Sequence, residues 1–189
     1  MRRARALIGP ASVAAYVAAL AAIQATGTPG WQQLASSPAA IADGRLWLLL
    51  TSGLVIDGLP WLQLALLAVV LAVALDRLGA ARLWAVALVA HVGAAVLAYA
   101  AIGLLWLVDR TLVEGAVDDP DYGVSVVLAG ELGALALAGG RRMALFVGLL
   151  VLGGIGVGVA DASLLVNVEH LLGFVLGALT VAALGRRVP

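Results

Sequence analysis

Apolar residues fill this chain in long runs, and polar residues break in only at intervals. Six runs come near the length of about 20 residues that a helix needs to cross a bilayer. They cover roughly 6–25, 54–75, 83–107, 123–140, 142–160 and 166–185. Only helices and closed barrels satisfy every backbone polar group in hydrocarbon, and runs of this length are helical. The pattern therefore predicts an all-α, polytopic membrane protein, one membrane domain over 1–189 with six transmembrane helices. The breaks carry the turn residues and the charges. They are a long first segment containing "TGTPGWQQLASSPAAIADGR", then "DRLGAAR", "VDRTLVEGAVDDPDY", "GGRR" and "ADASLLVN".

Charge orients the pattern. With the N-terminus inside, Arg2, Arg3, Arg5, Arg77, Arg82, Arg141, Arg142, Arg186 and Arg187 are cytoplasmic, and only Arg45 and Arg110 lie outside. By the positive-inside rule this bias predicts N- and C-termini both cytoplasmic, in a multi-pass protein of the plasma or inner cell membrane. The start also fits a cleaved signal peptide, with a basic head, an apolar stretch and small residues. An uncleaved first span agrees better with six helices. Trp31, Trp47, Trp61 and Trp106 fall near the external boundary, as interfacial anchors do.

Composition narrows the chemistry. Hydrophobic residues make up 63% and charged residues 12%, about half the charge of a soluble domain. Net charge is zero, and no basic patch points to nucleic acid. There is no Cys, so disulfides and thiol chemistry are excluded. The two His, His91 and His170, stand far apart, which argues against a metal site, and nothing implies a cofactor.

Polar groups inside a membrane are costly and are the first functional suspects. Counting from the helix ends, Ser125 and His170 each lie about one turn below the external face. Gln63 falls in the outer half of the second helix. A serine hydroxyl needs a base to become a nucleophile, and neutral imidazole suits that role. A helix N-terminus beside Ser125 offers unpaired N–H groups for an oxyanion, and Gly123 lets backbone approach closely. The plain structural reading is a small residue at a helix contact. By the same counting, His91 and Glu131 meet deeper, near the midplane, as a buried polar pair. Glu169 is expected at the external interface, pointing away from its neighbour His170.

These residues resemble the rhomboid intramembrane serine proteases. "YGVSVVLAGELGALAL" is similar to the Gly-x-Ser helix of that family, with Gly133 following at the familiar distance. "NVEHLLGFVLG" resembles its sixth helix, with Asn167, His170, Gly173 and Gly177. "RLWLLLTSGL" and "LDRLGAARLW" resemble the entry to the second helix and the turn after it. The likeness runs over roughly 45–185. It implies a six-helix rhomboid-like bundle with Ser125 as nucleophile and His170 as base. It further implies a transmembrane-helix protein as substrate, cut near the external face. Gly133, Gly173 and Gly177 would let the fourth and sixth helices pack closely. Several positions depart from the family pattern, among them Ala129 where an aromatic often stands and the order Arg45-Leu46-Trp47. Val126 follows the nucleophile where Gly is usual, and the second helix carries Leu59 and Gln63 where the family usually has His and Asn. Gln63 would be the side-chain oxyanion donor. Two rival readings remain: a rhomboid-like pseudoprotease that binds membrane helices, and a small transporter using His91 and Glu131. The oligomeric state is not written in the sequence.

Overall fold

In a computed structural model the protein is described over residues 2–26, 31–158 and 164–185. Among the described residues, regular structure is helical, with one isolated bridge between Ser36 and Asp121. Helix α1 spans Arg2–Thr26. The segment after it holds a 3-10 turn at Trp31–Leu34, the short helices α2 (Pro38–Ala42) and α3 (Leu48–Thr51), and a second 3-10 turn at Ser52–Leu54. Helices α4 (Pro60–Leu78) and α5 (Ala80–Val108) follow. A 3-10 turn and α6 (Glu114–Val117) lead to α7 (Val124–Ala138), α8 (Gly140–Gly158) and α9 (Leu164–Ala183).

Four of these helices, α1, α4, α5 and α9, are long and apolar enough to cross a membrane, and α7 is a shorter apolar helix. Arg186, Arg187 and the connection 159–163 lie outside the described residues, as do the side chains of Arg2, Arg3, Arg5 and Trp31. Trp47 and Trp61 are well exposed, as interfacial anchors are. The guanidinium of Arg110 lies 5.4 Å over the ring of Trp106.

The second long helix begins at Pro60, not at 54. Proline fixes φ and lacks an N–H, which suits the first turn of a helix. Gly58 just before it has φ +78°, a left-handed conformation that glycine adopts without strain. Residues 55–59 therefore remain a loop although their composition is apolar. The turn between α4 and α5 is a single residue, Gly79, also left-handed at φ +78°.

Helix α7 sits at the centre. Most of its side chains are buried, on every face, and a helix apolar all round belongs in a core. It has 15 residues, about 22 Å, less than the roughly 30 Å of a bilayer's hydrocarbon core. Its neighbour α5 has 29 residues, about 43 Å. Ala90 and His91, in the middle of α5, face Gly130 and Gly123 of α7. The mouth of α7 is therefore sunk halfway along α5. Above it lies a second, outer cluster of Ala95, Ala98, Tyr99, Ile102, Val113 and Leu165. Below it runs the main core of α1, α4, α5, α7 and α8, centred on Leu67, Leu71, Leu83 and Leu135.

Candidate active site at the mouth of the central helix

Two loops roof the mouth of α7. Ser36 and Asp121 exchange backbone hydrogen bonds, 2.7 Å from Asp121 N to Ser36 O and 3.3 Å in return. Lower down, Gly123 N donates to Ser52 O at 3.0 Å. The first long segment is thus tied twice to the residues that open α7.

Gly123 is the N-cap, and its carbonyl accepts from Val126 N (3.1 Å) and Val127 N (3.0 Å). The ring of His91 occupies the space where a side chain at Gly123 would stand. It also abuts Gly53, 3.0 Å from His91 Nε2 to where a Cβ would be. Glycine is required at Gly123 by this close approach rather than by its φ of −71°. His91 Nε2 lies 3.3 Å from Ser52 Oγ. His91 Nδ1 is buried without a hydrogen-bond partner.

Ser125, the second residue of α7, donates from Oγ to Tyr122 O at 3.4 Å. His170 is partly buried on α9, and its Nε2 has no hydrogen-bond partner. No hydrogen bond therefore joins Ser125 Oγ to that nitrogen. The two helices nevertheless bring them close in level. Val126 faces Gly173, and Gly130 faces Gly177, so α7 and α9 run in the same direction. Counting back from the Val126–Gly173 contact leaves Ser125 and His170 within about 3 Å of rise.

Small residues make this approach. A Cβ on Gly173 would come 2.8 Å from Val126 Cγ1 and 3.1 Å from its carbonyl oxygen. A Cβ on Gly177 would run into the backbone of Gly130, and one on Gly133 into the backbone of Phe174. Such contacts are how helices associate where water supplies no hydrophobic drive.

The remaining candidates lie elsewhere. Gln63 Nε2 donates to Asp57 O at 2.6 Å, so its amide is tied to the loop before its own helix. The His91–Glu131 pair is not formed. His91 bonds Ser52 at the mouth of α7, whereas both oxygens of Glu131 are buried with no partner two turns further in. Counting depth from helix ends assumed that each helix spans alike. The short α7 and the long α5 break that assumption. Glu169, expected at the external interface, is 1% exposed.

A buried polar cluster that the sequence did not announce lies under the roofing loops. Asp121, 2% exposed, accepts at Oδ2 from Tyr99 OH (2.9 Å) and from Ser36 Oγ (3.2 Å). Ser36 Oγ and Tyr99 OH are 2.9 Å apart, so two hydroxyl protons serve three edges of a triangle. In the run "DDPDYG" Asp121 reads as one more acid of a solvated loop, and only the bridge to Ser36 buries it. In the loop beside it, burial and then the charge of Asp57 hold the Tyr122 phenol above its ordinary range. Among the described residues no three His, Asp or Glu gather as a metal site would need. Behind His91 an apolar cavity of about 160 Å³ opens between Tyr16, Gly53, Leu54, Trp84 and Val127.

The sunken mouth, the Gly-Val-Ser opening and the glycine-packed α9 agree with what a family comparison finds. The model of the rhomboid-like protein family matches residues 35–187. The chain is a rhomboid-like protein. Searches of curated proteins and of solved structures gave no match. The match takes in the first long segment from residue 35 as well as the helices from α4 onward. In this rhomboid-like protein the roofing residues Ser36, Ser52 and Asp121 all lie within the matched stretch.

Proposed function

We propose that this rhomboid-like protein is an intramembrane serine endopeptidase, a six-span bundle with both termini cytoplasmic in the cell membrane. Its substrates are transmembrane helices, cut near the external face. The carrying observation is the pairing of α7 and α9. Same-direction helices locked by glycines bring Ser125 and the unpartnered Nε2 of His170 to nearly one level.

The reaction follows from these groups. Ser125 Oγ attacks the scissile carbonyl carbon as its proton passes to His170 Nε2. The carbonyl electrons move to oxygen, and first-turn N–H groups of α7 are the donors for that oxyanion. The C–N bond then breaks, and the imidazolium returns its proton to the leaving amine. Water repeats the sequence on the acyl-enzyme and frees Ser125. The Ser125 hydroxyl must turn from Tyr122 O towards His170 for the first step.

A second reading has observations of its own. Ser125 is bound to Tyr122 O, and Gln63 to Asp57 O. A pseudoprotease that binds membrane helices without cutting them would keep both bonds.

Labelling by a serine-directed fluorophosphonate, together with cleavage of a helical membrane substrate, separates the two. The protease reading expects both signals in the wild type and neither in Ser125→Ala or His170→Ala. Absence of any Ser125-dependent signal from folded wild-type protein leaves the pseudoprotease.

A further inference from the structure

Along α5, Tyr99, Ile102, Gly103 and Trp106 recur at intervals of three and four, so they share one face of the helix. With Pro38 and Ala42 of α2 they line an apolar groove of about 240 Å³. A Cβ on Gly103 would meet nothing, so the missing side chain leaves the groove open. At its lower end Tyr99 is held by its hydroxyl, which donates to Asp121 Oδ2 at 2.9 Å and lies 2.9 Å from Ser36 Oγ. The groove is therefore preformed. Its apolar walls forgo dispersion contacts until something apolar fills it.

The upper end carries a cation. Arg110 stands in the 3-10 turn that follows α5, four residues after Trp106. Its guanidinium lies 5.4 Å over the Trp106 ring, at the rim of the groove. Although the loop after it is acidic, Arg110 forms no ion pair among the described residues. Its neighbour Asp109 accepts instead from Thr111 N (2.9 Å) and Thr111 Oγ1 (2.7 Å). The other arginine expected on this side, Arg45, lies 3.5 Å from Asp43. Arg110 is thus a planar donor set open to an anion, and such a set suits phosphate.

Depth says which anion. The 29 residues of α5 measure about 43 Å, as long as a whole bilayer of about 40–45 Å with its headgroup layers. The last turn of α5 is then at headgroup level, where Trp is usual. Tyr99, seven residues earlier, lies about 10 Å deeper, among acyl chains. Leu104, Leu107 and Val108 are exposed at this end, as side chains facing lipid are. A phosphate above and hydrocarbon directly below describe one molecule. We propose that the groove between α2 and α5 is a specific phospholipid site, with the phosphate on Arg110 and an acyl chain running past Trp106 and Gly103 towards Tyr99. Lipid held here needs no catalytic activity, so the site serves protease and pseudoprotease alike.

Native mass spectrometry of the full chain, released from detergent micelles containing phosphatidylglycerol, tests the site. The wild type should retain one phospholipid. Gly103→Phe, which fills the groove from a position with free space around it, should abolish retention. Arg110→Ala should weaken it about tenfold, as loss of a charge-assisted hydrogen bond does. Inorganic phosphate in excess should not displace the lipid. Undiminished retention in either folded variant overturns the proposal, because the lipid is then held elsewhere. Displacement by inorganic phosphate overturns it by making Arg110 a site for a free anion. A dimer that Gly103→Phe breaks, with no lipid retained, overturns it by putting a second copy in the groove. Arg110→Ala changes only an exposed side chain, so it decides the matter if Gly103→Phe does not fold.

Discussion

The two ends of α7 are built on opposite principles. At its mouth, hydrogen bonds join polar side chains from three parts of the chain: Ser36 and Ser52 from the first segment, His91 and Tyr99 from α5, and Asp121 from the loop. Two turns further in, backbone meets backbone across Gly130, Gly133 and Gly177, and the one ionisable group, Glu131, has no partner. The mouth gains order from directional bonds. The inner half gains it from fit. The polar groups at the mouth are held in place by hydrogen bonds. A carboxyl among glycines and leucines has nothing to act on.

The largest expected effect tests the fit. Gly177→Leu forces a branched side chain into the backbone of Gly130. It should cost about 3 kcal/mol or more, beyond ordinary overpacking, and separate Ser125 from His170. Thermal unfolding and fluorophosphonate labelling should both collapse. A variant that unfolds at the wild-type temperature would show that α9 does not rest on α7 there.

The next effect has the opposite sign. Glu131 is fully buried with both oxygens unsatisfied, so Glu131→Leu should stabilise the protein by about 1–3 kcal/mol, the usual cost of an unpaired buried polar group. Labelling should survive, since the carboxyl touches nothing at the mouth. A lower unfolding temperature would mean that the carboxyl has a bonding partner in the membrane-embedded protein.

The smallest effect sharpens the boundary between the two regions. Gly123→Ala should destabilise because the ring of His91 fills the place of the new methyl group. In a His91→Ala background the same change should be nearly harmless. A double-mutant cycle should return a coupling of about 1 kcal/mol. Independent, additive effects would mean that His91 is not what keeps Gly123 bare.

Much of the helical pattern was legible in the sequence, for a plain reason. Hydrocarbon demands runs of apolar residues of a set length, and such runs are visible without a fold. Apolar character alone did not reveal that residues 55–59 are loop, because Gly58 and Pro60 act through backbone geometry and not through hydropathy. The small residues of α9 could be read as a contact stripe, since their spacing repeats on one helical face. Ser125 and His170 stood out because polar groups in such runs are rare.

What only the tertiary structure decided was relative depth and partnership. Sequence counting gave every helix the same frame, and so paired His91 with Glu131 and sent Asp121 and Glu169 to the surface. A 15-residue α7 beside a 29-residue α5 shifts that frame by whole turns. It brings His91 to Gly123 and leaves Glu131 alone. The fold of the first segment onto the loop before α7 then buries Asp121 under Ser36 and Tyr99. The sequence by itself determined which residues could enter a membrane and which of them carried chemistry. Which of those met was settled by helix lengths, crossing points and loop contacts, which depend on residues far apart in the chain.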